Sequence, residues 1–295
     1  MHGAHQPGRK LSWSMRAMCW LFRYPGAVMP GLLGRWAFRL WFRTRRYPES
    51  ASGQQVSLDA RHDTLPVGGI PVAVHSWGEG PVVLFLHGWS GRGSQVAAFI
   101  APLVKSGYRV VAPDAPGHGD SPGHETNIFE VARVVSELCN RIGPVHAALS
   151  HSFGGMVLAY VMAQGTRIGR VVMISAPADM EFLLQGYAQT LCMHPRVLAN
   201  LRARIERRFQ GDLASISTLQ NARSQSVPAL IIHDEQDGSV PWQQGRRIAG
   251  AWPGAQFMKT RGLGHGRILR DSEVVNAAVE FITHHTPASR EACSL

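Results

Sequence analysis

The sequence predicts an α/β chain with a mostly parallel, twisted sheet, helices on both faces and a small helical cap. Three observations carry this expectation. Short, almost wholly apolar runs such as residues 81–87 (PVVLFLH) have the pattern of strands buried on both faces. They alternate with amphipathic stretches, as the crossover units of a parallel sheet require. Residues 178–226 interrupt the rhythm with about fifty residues of largely helical character, where a crossover needs only a dozen or so.

In chain order, residues 1–10 read as a flexible start. Residues 11–47 are dense in Trp, Phe and Arg, with four of the eight Trp. Over residues 32–43, Arg35, Arg39 and Arg43 line one face of a helix, and Leu33, Trp36, Ala37, Leu40 and Trp41 cover most of the other. Residues 48–53 read as a linker. Residues 55–66 and 70–77, joined at Gly68-Gly69, read as a hairpin. Strands follow at 81–87, 108–113, 145–149, 170–175 and 229–233, with a weaker one at 256–260. Helices are expected at 94–106, with Ser94 as N-cap, at 127–141, at 154–163 and at 272–284. In the insertion, 180–191 and 196–209 read as helices. The chain thus divides into a basic arm (1–50), a core (51–177 and 227–295) and a cap (178–226).

Composition narrows the function. With 45% apolar and 17% charged residues over 295, disordered and collagen-like chains are excluded. The net charge of +10 is concentrated in residues 1–50, which hold nine Lys and Arg and one acid. The body is nearly neutral, so the basic pI does not imply nucleic-acid binding. Cys19, Cys139, Cys192 and Cys293 lie far apart without metal-ligand spacing, which suits a reducing, cytoplasmic setting. Residues 142–166 lack Asp, Glu, Lys and Arg over 25 residues, long enough to span a bilayer at about 20. The cluster of Pro144, His146, Ser150, His151, Ser152, Gly154 and Gly155 argues instead for a buried strand, a sharp turn and a buried helix.

That turn carries the chemistry. Ser152 sits between strand and helix in Ser150-His-Ser-Phe-Gly154, close to the nucleophile-elbow pattern G-x-S-x-G. Ser150 stands where the pattern has Gly, but it is still small. A serine hydroxyl needs a neutral imidazole to take its proton, and the imidazole needs a carboxylate to hold its tautomer. The pattern places these later in the chain, in the order Ser, acid, His. Asp237, on the loop after an apolar strand, is the expected acid; Asp234 and Glu235 read as strand-end residues facing solvent, and Asp179 is the rival. His265, flanked by Gly264 and Gly266, is the expected base. His151 is expected to point the other way. The Phe153 amide and the Trp89 amide of His87-Gly-Trp-Ser-Gly91 are the expected oxyanion donors, with Ser90 as an alternative to Trp89.

Five segments in order, HGWSG (87–91), DAPGHGDS (114–121), SHSFGG (150–155), HDEQDGSVP (233–241) and GLGH (262–265), resemble the successive signatures of the α/β-hydrolase superfamily. The resemblance covers residues 70–285 and leaves the arm outside. It implies a serine hydrolase with a helical lid at 178–226, and it gives Asp114 a loop-shaping rather than a reacting role. A Ser nucleophile argues against the dehalogenase and epoxide hydrolase branches, whose nucleophile is a carboxylate. The expected reaction is hydrolysis of a small-molecule carboxylic ester or thioester through an acyl-serine, with no metal or organic cofactor. Acyl transfer, perhydrolysis, carbon–carbon cleavage next to a ketone and non-catalytic small-molecule binding are the alternatives. The arm is expected to pack on the body or cap; its alternative is peripheral contact of residues 11–47 with an anionic membrane. Arg196, Arg202, Arg204, Arg207 and Arg208 read as a solvated face.

Overall fold

The computed structural model describes residues 12–210 and 213–283. The flexible start expected at 1–10, Cys293 and the end of the closing helix at His284 lie outside the described residues. Elements in order are α1 (Trp13–Arg23), α2 (Pro25–Val28), α3 (Pro30–Trp41), α4 (Ala51–Leu58), β1 (Arg61–Val67), β2 (Ile70–Trp77), β3 (Val82–Leu86), α5 (Ala97–Lys105), β4 (Arg109–Pro113), α6 (Ile128–Ile142), β5 (Val145–His151), α7 (Phe153–Ala163), β6 (Val171–Ile174), α8 (Met180–Thr190), α9 (Pro195–Arg208), α10 (Thr218–Ala222), β7 (Ala229–Asp234), α11 (Trp242–Ala251), β8 (Gln256–Thr260), α12 (Gly264–Arg267) and α13 (Ser272–Thr283).

The eight strands form one sheet in the order β1-β2-β4-β3-β5-β6-β7-β8. β1–β2 and β2–β4 pair antiparallel, and all pairs from β4–β3 to β7–β8 are parallel. Alternation along the central strands sorts their side chains into two cores. Val82, Leu84 and Leu86 of β3 point to one face with Val171 and Met173 of β6; Val83 and Phe85 point to the other with Val172 and Ile174. The second face is covered by α5 and α13, through Phe99, Leu103, Val274 and Ile282. The first is covered by α6 and α7, and its core runs on into cap and arm through Leu184, Leu201, Leu33 and Phe22. Among the described residues no helix is long and apolar enough to cross a membrane. The uncharged stretch 142–166 is instead β5, a turn and α7, as its Gly and His cluster requires.

Three expectations need correction. Residues 51–58 are a helix, not linker and strand; the Ser50 hydroxyl accepts from the Gly53 amide and caps it. Ser94 is no N-cap. It lies inside a 3₁₀ turn, Gly93–Val96, and its hydroxyl donates to the Glu49 carboxylate. The cap arginines are not all a solvated face. Arg196 and Arg204 donate to the arm carbonyls of Ala27 and Gly31, and Arg202 pairs with Glu181.

The arm is built into the molecule. Phe22 is wholly buried and Leu33 and Ala37 nearly so. Gly34 meets α9 so closely that a Cβ there would lie 2.3 Å from Asn200 Oδ1; at Gly26 it would lie 2.8 Å from Val197 Cγ2. Beyond α3 the chain crosses the 114–125 loop. The Thr44 amide donates to the His124 carbonyl at 2.9 Å and the Arg45 amide to Ser90 Oγ at 3.0 Å.

Candidate active site

β5 ends in Ser150 and His151, α7 begins at Phe153, and Ser152 stands between them with φ +52°. A non-glycine residue held there costs of order 1–3 kcal/mol. The turn has little space. A Cβ at Gly154 would lie 2.2 Å from the Leu86 carbonyl oxygen, so only glycine fits there. Ser150 is tolerated in place of glycine because its buried hydroxyl donates to the Val172 carbonyl of β6 at 3.3 Å.

The structure brings the three distant side chains together. His265 Nε2 lies 3.0 Å from Ser152 Oγ, and His265 Nδ1 lies 2.7 Å from Asp237 Oδ2. His265 does not sit on an open loop as expected; it lies in α12, just after Gly264, whose φ is +67°. Asp237 follows β7, and its Oδ1 accepts from the amides of Ser239 and Val240 at 2.8 and 2.9 Å. Burial would raise the Asp237 carboxyl, but hydrogen bonds with His233, His265 and the Val240 amide outweigh it and hold the group well below the usual carboxylate range. An ionised Asp237 only accepts, so His265 Nδ1 must carry a proton. In the neutral ring Nε2 is then the bare nitrogen facing the Ser152 hydroxyl.

Two neighbours depart from expectation. Asp234 does not face solvent; it is fully buried. Its Oδ1 accepts from the Gly264 amide at 2.8 Å, and its Oδ2 accepts from the Leu263 amide at 3.1 Å and the Thr260 hydroxyl at 2.9 Å. It therefore fixes the turn that carries His265. His151 does not point away; its ring centroid is 4.8 Å from that of His265. Burial first, and the His265 charge second, push His151 down to about 3. It is thus neutral, and Nε2–H donates to the His265 carbonyl at 2.8 Å. Asp179, the rival acid, caps α8 through the Phe182 amide and pairs with Arg247 at 3.0 Å.

The 87–91 loop lies against the nucleophile. A Cβ on Gly88 would be 3.2 Å from Ser152 Cβ, so glycine lets this backbone approach. His87, whose part the sequence does not reveal, accepts the Ala115 amide at Nε2 and donates from Nδ1 to the Gly88 carbonyl at 2.8 Å. It pins this loop to the next one. The Trp89 and Phe153 rings meet edge to face at 5.1 Å and hold the two expected donor residues side by side. The Phe153 amide is in the first turn of α7, where helix amides lack an intrahelical acceptor. Among the described residues the Trp89 amide donates to no protein acceptor.

Asp114 shapes a loop, as expected. Its carboxylate accepts from the Gly93 and Asp120 amides at 2.6 and 2.7 Å and lies 3.2 Å from His75 Nε2. His75, Asp114 and Asp120 bring one ligand atom each within 4.8 Å of one another. Both Asp114 oxygens are already engaged by these partners, which suits a structural cluster better than a metal site.

Two spaces adjoin the residues around Ser152. A mostly apolar cavity of about 410 Å³ lies between arm, cap and core; Trp89 and Phe153 line it, and Arg43, Arg45, His124 and Asn127 are among its charged and polar members. A wider groove is lined by His265, His151, Arg92 and Gln95. Met15, Tyr47, Ser90 and Thr190 border both.

Comparison with known proteins gives the family and the fold. The family described as Alpha/beta hydrolase family matches residues 83–278, well over half of the chain, and the chain belongs to that family. A 105-residue segment is 38% identical to the magnesium-chelatase 30 kDa subunit of Rhodobacter capsulatus, covering 34% of this chain and 36% of that protein. The bifunctional esterase/perhydrolase DCH of Acinetobacter calcoaceticus is 25% identical over 262 residues, 70% of this chain and 94% of the relative. The esterase EaEST of Exiguobacterium antarcticum superposes with a TM-score of 0.60 at 16% identity, over 76% of this chain and 100% of that one.

Proposed function

We propose that this member of the α/β hydrolase family hydrolyses a small-molecule carboxylic ester or thioester through an acyl-Ser152 intermediate. The observation that supports this reading most is the line of contacts from Ser152 through His265 to Asp237, at 3.0 and 2.7 Å. His265 takes the Ser152 proton as Oγ attacks the ester carbonyl. Asp237 stabilises the imidazolium without itself taking the proton. The tetrahedral oxyanion accepts from the Trp89 and Phe153 amides; one such donor is worth about 2.7–4 kcal/mol. His265 then gives its proton to the leaving alcohol or thiol, and a water activated by the same ring releases the acid.

Labelling by an organophosphonate tests this. The expected result is one adduct, on Ser152, that disappears in Ser152→Ala. A folded chain that stays unlabelled and turns over no p-nitrophenyl ester would remove the proposal. The relative named as an esterase/perhydrolase favours a second outcome at the same acyl-serine, in which hydrogen peroxide replaces water and a peracid is released. Peracid formation from an ester and peroxide, measured against acid formation, separates the two.

We further propose that the arm touches a membrane peripherally. Trp13, Trp20 and Tyr24 share one side of α1 and are 84%, 59% and 57% exposed, with Arg16 and Arg23 flanking them. Leu32 and Trp36 are exposed on α3 beside Arg35 and Arg39. Exposed aromatic rings bordered by Arg suit an interface of acyl chains and anionic headgroups. Full-length protein is expected to co-sediment with vesicles containing phosphatidylglycerol, and a Trp13→Ser/Trp20→Ser variant to stay in solution. Equal binding by both would discard this contact.

A further inference from the structure

We propose that the arm forms one wall of the acyl-binding cavity and thereby selects esters with long acyl chains. This deepens the reading of Ser152 as an acylated nucleophile and rests on it. The cavity is lined by Trp89 and Phe153, the expected oxyanion donors for an acyl group on Ser152. It runs between Met18 and Trp41 of the arm and Leu183 and Phe209 of the cap. These four are apolar, as is most of the lining; Arg43, Thr44, Arg45, His124 and Asn127 are among its polar members. The apolar majority suits a flexible hydrocarbon chain. Met18 and Trp41 lie outside residues 83–278, so this wall is an addition to the part shared with the family. The polar groove carrying His265 and Arg92 is left for the leaving group and for water.

The test is kcat/KM on p-nitrophenyl esters from acetate to decanoate. In the unaltered chain the value is expected to rise about fourfold for each added methylene, the gain of burying one such group, until the cavity is full. Met18→Trp is expected to cut the decanoate-to-acetate ratio at least tenfold. Val28→Ala, on an exposed part of the arm away from the cavity, is expected to keep the ratio. A flat profile, or an unchanged ratio in Met18→Trp with Ser152 still labelled by organophosphonate, overturns the arm's role and leaves the hydrolase reading standing. Absence of both turnover and labelling in the unaltered chain overturns the two together. If Met18→Trp fails to fold, Trp41→Leu is expected to move the optimum to longer chains, and an unmoved optimum counts against the wall equally.

A separate observation carries a second inference. We infer that Cys19 and Cys192 close into a disulfide that ties α1 to the end of α8. Their sulfurs lie 2.6 Å apart, both half-buried on the groove wall, although 173 residues separate them. Cys192 sits at φ +50°, turned back toward the arm. Burial and the neighbouring sulfur push the Cys19 thiol up to about 12. In exchange with oxidised glutathione, one of the two cysteines, as its thiolate, attacks one glutathione sulfur and expels the other half as a thiolate. The other cysteine then gives up its proton to solvent, attacks the sulfur now joined to glutathione and expels the second glutathione as a thiolate; two protein thiols are oxidised and one disulfide is reduced. After treatment of the full chain with oxidised glutathione and blocking of free thiols, peptide mapping is expected to yield a Cys19–Cys192 linked pair. Recovery of the two as separately blocked thiols or as mixed disulfides with glutathione overturns the inference.

Discussion

The rim of the sheet and the roof above it are built by opposite means. At the rim, Asp234, Asp237, His151 and His265 are joined by directed hydrogen bonds, several to backbone amides, so small displacements matter. In the roof, arm and cap meet mainly through Phe22, Leu33, Trp41 and Leu201, where volume decides, and directed bonds such as those of Arg196 and Arg204 to arm carbonyls are the minor part. The difference teaches that chemistry and selectivity can change independently here. Rim substitutions should act on turnover, and roof substitutions on stability and chain length.

The largest expected effect tests the rim. Asp237→Asn should lower kcat about 10⁴-fold, because an amide can hold His265 in the wrong tautomer. Ester turnover by the purified variant measures this, and a loss below tenfold would mean that Asp237 does not orient His265. Next is the roof. Phe22→Ala removes a wholly buried ring and should cost about 3–5 kcal/mol in urea unfolding. An unchanged midpoint would show the arm to be an appendage that unfolds by itself. Asp234→Asn should then lower kcat by up to about a hundredfold, the cost of a displacement near 1 Å, with KM little altered. If KM rose and kcat held, Asp234 would belong to binding rather than to the placement of His265.

The smallest effect concerns pH. His118 and His151 are pushed down to about 3, chiefly by burial, from 6.5 in an open chain. Between those values the unfolded chain binds more protons than the folded one, so stability falls as pH falls. Asp114 and Asp237, held low in the fold, give up their contributions only further down, below the ordinary carboxylate value of 3.8. The urea midpoint should therefore decline from pH 6.5 to about pH 4.5, less steeply in His118→Gln. An identical slope in that variant would exclude His118 as a source.

The same contrast governs what can be read from the residues alone. Ser152 and Asp237 follow apolar strands, His265 follows the weaker strand 256–260, and all three sit beside turn residues, so local pattern and chain order point to them. Most strands are legible for the same reason, since a short unbroken apolar run flanked by turn residues suits a strand buried on both faces. Residues 51–58 are not, because a helix of Ala, Ser, Gly and Gln lacks an apolar stripe and relies on the Ser50 cap. The role of Asp234 is hidden because its partners, Leu263 and Gly264, lie 29 and 30 residues away. The cavity and the Cys19–Cys192 pair have no local signature, since each is assembled from segments that meet only after folding.

The bond from the Arg45 amide to Ser90 Oγ has a practical consequence for anyone shortening this chain. Ser90 adjoins Trp89, so cutting at residue 47 strips a strut from the loop that faces the reacting carbonyl, as well as the aromatic residues on the outer surface. A clipped protein that lost both vesicle binding and activity would conflate two roles, and point changes on α1 are the cleaner dissection.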